Sequence, residues 1–152
     1  MRYFLDCEFD GHSGPLLSLA LVCDEEPACN LYVVTDTVAT DPWVIENVVP
    51  ILHQHPVLDI DPKNVPHNEV GWWINWFLKG EEDITVIADS PVDIARFCMA
   101  LSTGEDGEWT SYGLPLIKFE VHNVDAYPTT VVGAIRHNAY WDALALQSRW
   151  KK

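Results

Sequence analysis

Asp6 and Glu8 stand one residue apart in the apolar stretch Arg2-Tyr3-Phe4-Leu5-Asp6-Cys7-Glu8-Phe9. The stretch reads as a strand, and side chains alternate faces along a strand. The two acids therefore point one way while Leu5, Cys7 and Phe9 point the other. Acids are depleted from strands, and two carboxylates on one face repel. At about 4 Å and an effective dielectric near 20 that repulsion is of order 4 kcal/mol, an upper-end figure. A leading hydrophobic strand that keeps both acids invites a cation, and hard oxygen donors suit magnesium or manganese. An isolated D-x-E pair is more often two solvated acids at a frayed hairpin end, so the rest of the chain has to decide.

Two later segments place an acid or a histidine at the start of a helix. Asp93 follows Ser90-Pro91, where a serine N-cap and a proline at the first helical position open a helix. His137-Asn138-Ala139-Tyr140-Trp141-Asp142 opens the last helix, with Asn138 as its N-cap. Each has a plain structural explanation. Asp93 can close a capping box with Ser90, and an acid in a first turn meets the positive end of the helix dipole. Together the three segments fit one chemistry. Phosphodiester cleavage with two metals needs carboxylates that converge from separate elements, and a base beside the attacking water. Four carboxylates balance two divalent cations. Five residues along a helix turn through about 140°, so His137 and Asp142 cannot share a helical face. His137 has to lie on the preceding loop and Asp142 on the helix.

On these motifs the chain resembles the DEDD superfamily of 3′→5′ exonucleases, in the branch with a catalytic histidine. That branch includes ribonuclease T, oligoribonuclease and the proofreading subunits of bacterial replicases. It carries D-x-E in the first strand, an Asp near the start of a mid-chain helix, and H-x-x-x-x-D before the last. Here these are Asp6-Cys7-Glu8, Asp93 and His137 to Asp142, and His137 to Ala143 is close to the form H-x-A-x-x-D-A. The opening Met1 to Phe9 is most similar to small single-domain bacterial exoribonucleases. The middle motif departs: it is one residue shorter than the common H-N-x-x-F-D form and has Val92 before the acid. Asp89 is therefore a rival to Asp93. His122 with Asp125 has the wrong spacing and reads as structural.

The resemblance implies a ribonuclease H-like fold and a two-metal 3′→5′ exoribonuclease that releases nucleoside 5′-monophosphates. Asp6, Glu8 and Asp142 would hold the magnesium or manganese ion beside the attacking water. Asp6 and Asp93 would hold the ion beside the leaving oxygen, and His137 would take the proton. Phe9 and Leu16 are the candidates for seating the terminal nucleotide, against the plainer reading of Leu16 as a core residue. Arg136, Arg96 and Arg149 are the candidate phosphate contacts. RNA is favoured over DNA as the nucleic acid whose 3′ end is bound, and relatives imply a homodimer. The alternatives are a 3′→5′ DNA exonuclease and a non-catalytic ribonuclease H-like binding module.

The elements that have to position these residues follow in order. Residues 2–9, 16–23 and 30–34 read as three strands joined by short turns, an antiparallel meander. Asp41-Pro42 opens a helix that stops or kinks at Pro50. A second helix is predicted over 68–79, ended by Gly80, with Val70, Trp73, Ile74, Phe77 and Leu78 on its core face. Trp72 and Trp76 fall on another flank, either as rim residues or as an aromatic self-association patch. A strand at 84–88, a helix from Pro91 to about Leu101, a strand at 116–121 and a helix from Ala139 to about Arg149 complete the chain. Residues 53–66, 102–113 and 123–136 read as loops, the middle one of lid-like length. The expected architecture is α/β: one domain over residues 1–152, a five-stranded mixed sheet with the meander first, flanked by helices.

Composition sets the bounds. The chain has 152 residues, 48% hydrophobic, with seven Trp, enough for a real core and incompatible with disorder. Nine Lys and Arg against 23 Asp and Glu give a net charge of −14. No basic stripe of the kind that tracks long duplexes is visible. A nucleic acid held here has to be held through metal and a few local cations, which favours a chain end or a short oligomer. The four cysteines show no C-x-x-C or zinc spacing and suit reduced thiols. With no bilayer-length apolar run and no export signal, the expectation is a cytoplasmic protein without a membrane partner.

Overall fold

A computed structural model of the chain describes residues 1–25, 30–55, 64–103, 116–124 and 131–150. Strand β1 (Arg2–Phe9) pairs antiparallel with β2 (Leu16–Cys23) across the turn at residues 10–15. Glycine is required in that turn: Gly11 takes φ +61°, and a Cβ on Gly14 would lie 1.9 Å from the Asp10 carbonyl oxygen. β3 (Leu31–Val34) pairs antiparallel with β2, which completes the meander. β4 (Ile84–Ala88) lies parallel on the other side of β1, and β5 (Ile117–Val121) lies parallel to β4. The result is the expected five-stranded mixed sheet, ordered β3-β2-β1-β4-β5.

Helix α1 (Pro42–Asn47) begins at Asp41, whose carboxylate accepts from the N–H groups of Trp43 and Val44. Pro50 cannot donate to the next turn, and the chain passes into a 3-10 turn at Val49–Ile51. The second helix is shorter than its predicted span. Its first turn, His67–Glu69, is 3-10, and α2 (Val70–Phe77) ends before Gly80, at φ +88°. Val70, Ile74 and Leu78 are buried, with Trp73 and Phe77 packed against them. Trp72 and Trp76 stack on one another at the surface, 39% and 47% exposed. Helix α3 (Pro91–Leu101) is capped by Ser90, which accepts from the Val92 N–H, and α4 (Ala139–Trp150) is the last element.

Two apolar layers sandwich the sheet, as alternation along its strands requires. Tyr3, Leu5 and Cys7 of β1 pack with α2 and with Phe97 of α3 on one face. Phe4 packs with Val44 and Val48 and with Ala139, Tyr140, Ala143 and Leu146 of α4 on the other. Asp6 and Glu8 are in step with Phe4, so they face α4. No helix among the described residues is long and apolar enough to cross a membrane. The predicted loop at 102–113 falls, from residue 104 on, outside the described residues, as do Cys29, Asp125 and parts of the loops at 53–66 and 123–136.

Candidate metal centre

The register between β1 and β4 creates the site. Its last pair is Leu5 with Ala88, so among the described residues β1 runs on through Asp6 to Phe9 with no strand beside it on that edge. This is a crevice at the carboxyl ends of two parallel strands, where open α/β sheets bind ligands. The chain leaving β4 turns at Asp89 and enters α3, and both Asp89 and Asp93 close on Asp6 from that side. Carboxylate oxygens of Asp6, Asp89 and Asp93 lie within 4.8 Å of one another. From the sheet face covered by α4 comes Asp142, and oxygens of Asp6, Glu8 and Asp142 also lie within 4.8 Å of one another.

Asp6 thus belongs to both groups. The five acids come from β1, the start of α3 with the turn before it, and α4. Asp93 does not close a capping box on Ser90; its buried carboxyl is turned toward Asp6 and Asp89. Asp89 and Asp93, rivals in the sequence, both reach the cluster.

Clustering half-buried acids, with Asp93 fully buried among them, strains their ionisation. Asp6 is raised well above the ordinary aspartate range, first by burial and then by Asp93, Glu8, Asp142 and Asp89. Glu8 is pushed up to about 8 by burial, Asp142 and Asp93. Burial and Asp89 raise Asp93 to about 7, against the pull of the Cys7 backbone N–H. Burial raises Asp142 to about 7, with the His137 N–H and Arg136 acting the other way. Among the described residues neither Asp6 nor Glu8 receives a hydrogen bond from the protein. Carboxylates crowded together without donors are the donor set for a hard divalent cation, so these residues fit magnesium or manganese.

His137 sits just before α4 in the left-handed region, φ +61°. Its N–H donates to Oδ2 of Asp142 at 3.0 Å, and Asn138 caps the helix by accepting from the Trp141 N–H. The loop position for His137 and the helix position for Asp142 are those their spacing demanded. Burial and then Arg136 hold the imidazole below its ordinary value, so the ring is neutral at pH 7. Its edge meets the Trp43 ring with centroids 5.1 Å apart.

Trp43 is the residue that sequence reasoning missed. It lines a cleft of about 370 Å³ beside the acids, with Glu8, Phe9, Gly11, Val44 and Val48. Trp43 is 52% exposed in the first turn of α1, and in sequence such a residue looks like any solvent-facing aromatic. What places it is Asp10, whose carboxylate accepts from the Thr40 N–H, the Thr40 hydroxyl and the Asp41 N–H. The end of β1 is thereby tied to the start of α1.

The substrate candidates separate. Phe9 borders the cleft, but its ring packs on the sheet face opposite Glu8, beneath the Arg96 guanidinium. Leu16 is 4% exposed and belongs to the core layer. Arg136 is exposed beside Asp142 and His137. Arg149 lies in the last turn of α4. His122 pairs with Glu120 at 3.1 Å, within reach of solvent. No protein-family model matches the chain, and no curated protein or solved structure matches it significantly.

Proposed function

We propose that this chain is a ribonuclease H-like 3′→5′ exonuclease acting on RNA ends with two divalent cations. The observation that carries the reading is the sharing of Asp6 between two carboxylate groups, Asp6–Glu8–Asp142 and Asp6–Asp89–Asp93. Two-metal phosphodiester hydrolysis uses that donor arrangement. Magnesium or manganese, when bound, supplies the positive charge that admits a phosphodiester to so acidic a site and offsets the charge that builds during displacement.

The chain's own groups do the rest. His137, neutral at neutral pH and held beside Asp142, accepts the proton of the attacking water on a ring nitrogen. The water oxygen bonds to phosphorus, the bond to the upstream 3′-oxygen breaks, and that oxygen leaves as a hydroxyl once protonated. The Trp43 cleft is in the size range of small-ligand sites and presents an aromatic ring to a terminal base. Asp10 and Asp41 fix that wall.

The test is release of 3′-labelled nucleotides from RNA and from DNA with magnesium or manganese. Wild type is compared with Asp6→Ala and His137→Ala. The expected result is metal-dependent loss of 3′ nucleotides, faster on RNA and abolished by Asp6→Ala. Release from neither substrate defeats the enzyme reading, and cleavage indifferent to both substitutions defeats the site.

A further inference from the structure

A second cleft, of about 450 Å³, lies between α3 and the β1–β2 turn, lined by His12, Ser13, Pro91, Val92, Arg96 and Met99. Arg96 is the notable member. In a chain with 23 acids against nine Lys and Arg, a guanidinium normally finds a carboxylate. Arg96 forms no ion pair among the described residues, although Asp93 lies three residues earlier on the same helix. Its guanidinium is held over the Phe9 ring, 4.8 Å from the centroid. It is close enough to Cys7, the residue between Asp6 and Glu8, to pull that thiol down against burial and the charges of Asp93, Asp6 and Glu8. The opposite wall is fixed too, because His12 and Ser13 sit in the turn whose Gly11 and Gly14 tolerate no side chain without strain.

The first cleft is lined by Glu8, the second by Pro91 and Val92, which lie between Asp89 and Asp93 in the chain, and the two differ in chemistry. Among the described residues, the Trp43 cleft has an aromatic wall and no Lys or Arg, whereas the Arg96 cleft has a cation, a hydroxyl and an imidazole. A phosphodiester cut at Asp6 has a nucleotide on each side. At a 3′ end the terminal nucleoside carries no phosphate beyond the one being cut, and the other nucleotide leads into the chain and its next phosphate. The cleft without a cation suits the first, and the cleft with Arg96 suits the second.

We propose that Arg96, with the His12–Ser13 turn, binds the phosphate one linkage upstream of the bond that is cut. The assignment rests on the exonuclease reading. It makes Arg96 a determinant of substrate length, because a single nucleotide ester lacks that phosphate.

The experiment uses the trinucleotide UpUpU and the same trinucleotide with a neutral methylphosphonate at its first linkage. Both are cleaved at the second linkage with manganese by wild type, Arg96→Gln and Arg96→Lys, each checked for folding by its thermal melt. For wild type, the charged trinucleotide is expected to have the higher kcat/KM by about 10–100-fold, the range of a hydrogen-bonded charge pair. Arg96→Gln is expected to lower that ratio to near one, and Arg96→Lys to leave an intermediate ratio. A wild-type ratio near one, or a ratio preserved in Arg96→Gln, overturns the assignment while leaving the exonuclease reading intact. Failure of wild type to cut either trinucleotide overturns both.

Discussion

The backbone N–H of His137 donates to Oδ2 of Asp142 at 3.0 Å, so one carboxylate both joins the acid cluster and anchors the loop that carries the imidazole. The two roles separate by substitution. Asp142→Asn keeps an oxygen able to accept from His137 but removes the charge, whereas Asp142→Ala removes both. Exonuclease activity is expected to fall more than about 100-fold in each, beyond the range of outer-shell changes at metal sites. The Asn variant is expected to melt within a few degrees of wild type. Asp142→Asn with near wild-type activity would remove Asp142 from the metal centre.

Stability should fall as pH rises. Glu8 is raised to about 8 and Asp93 and Asp142 to about 7, all above their unfolded values. A native state that binds more protons than the unfolded chain loses stability with increasing pH. The loss falls between the unfolded carboxylate range, about pH 4, and the native values. Metal-free protein in chelator is therefore expected to melt at a lower temperature at pH 8.5 than at pH 5.5. Manganese should raise the melting temperature most at the higher pH, because the ligands have then lost their protons. A metal-free melting temperature that rises over this interval contradicts the described electrostatics.

His137 occupies a left-handed backbone position, which asparagine also tolerates. His137→Asn keeps the local conformation and lacks a base of suitable strength. It is expected to lose about 10²–10⁴-fold in kcat, the usual worth of a positioned general base. The manganese-induced rise in melting temperature should survive. A lost metal response would mean that His137 serves metal binding instead of proton transfer.

Trp43 touches His137 and walls the cleft next to Glu8. Base–aromatic stacking is worth about 1–3 kcal/mol per base, so Trp43→Ala is expected to raise KM for short RNA by about 10–100-fold. Trp43→Phe should recover most of that loss. Equal behaviour of the two variants would argue that Trp43 only shapes the loop around His137.

Much of this was legible in sequence because the local signals agree with one another. Asp41-Pro42 and Ser90-Pro91 mark helix starts that side-chain caps then make, and the strict alternation around Asp6 and Glu8 fixed their shared face. The five-residue interval from His137 to Asp142 forced a loop–helix division that the backbone adopts. What was hidden is tertiary. Nothing local says that β4 ends opposite Leu5, yet that register opens the edge of β1 and admits Asp89 together with Asp93. Trp43 was hidden for the same reason, since its position depends on Asp10 gripping Thr40 and Asp41 from 30 and 31 residues away. Leu16 shows the opposite case: a resemblance marked it as a candidate, and its pairing with Phe9 at the β-bulge buries it.

Manganese titration followed by electron paramagnetic resonance tests the central claim most directly. Two ions per wild-type chain, magnetically coupled through a shared ligand, are the expected result at pH 8, with the coupling lost in Asp6→Asn. No bound manganese at millimolar concentration, or two coupled ions that persist in Asp6→Asn, contradicts the account.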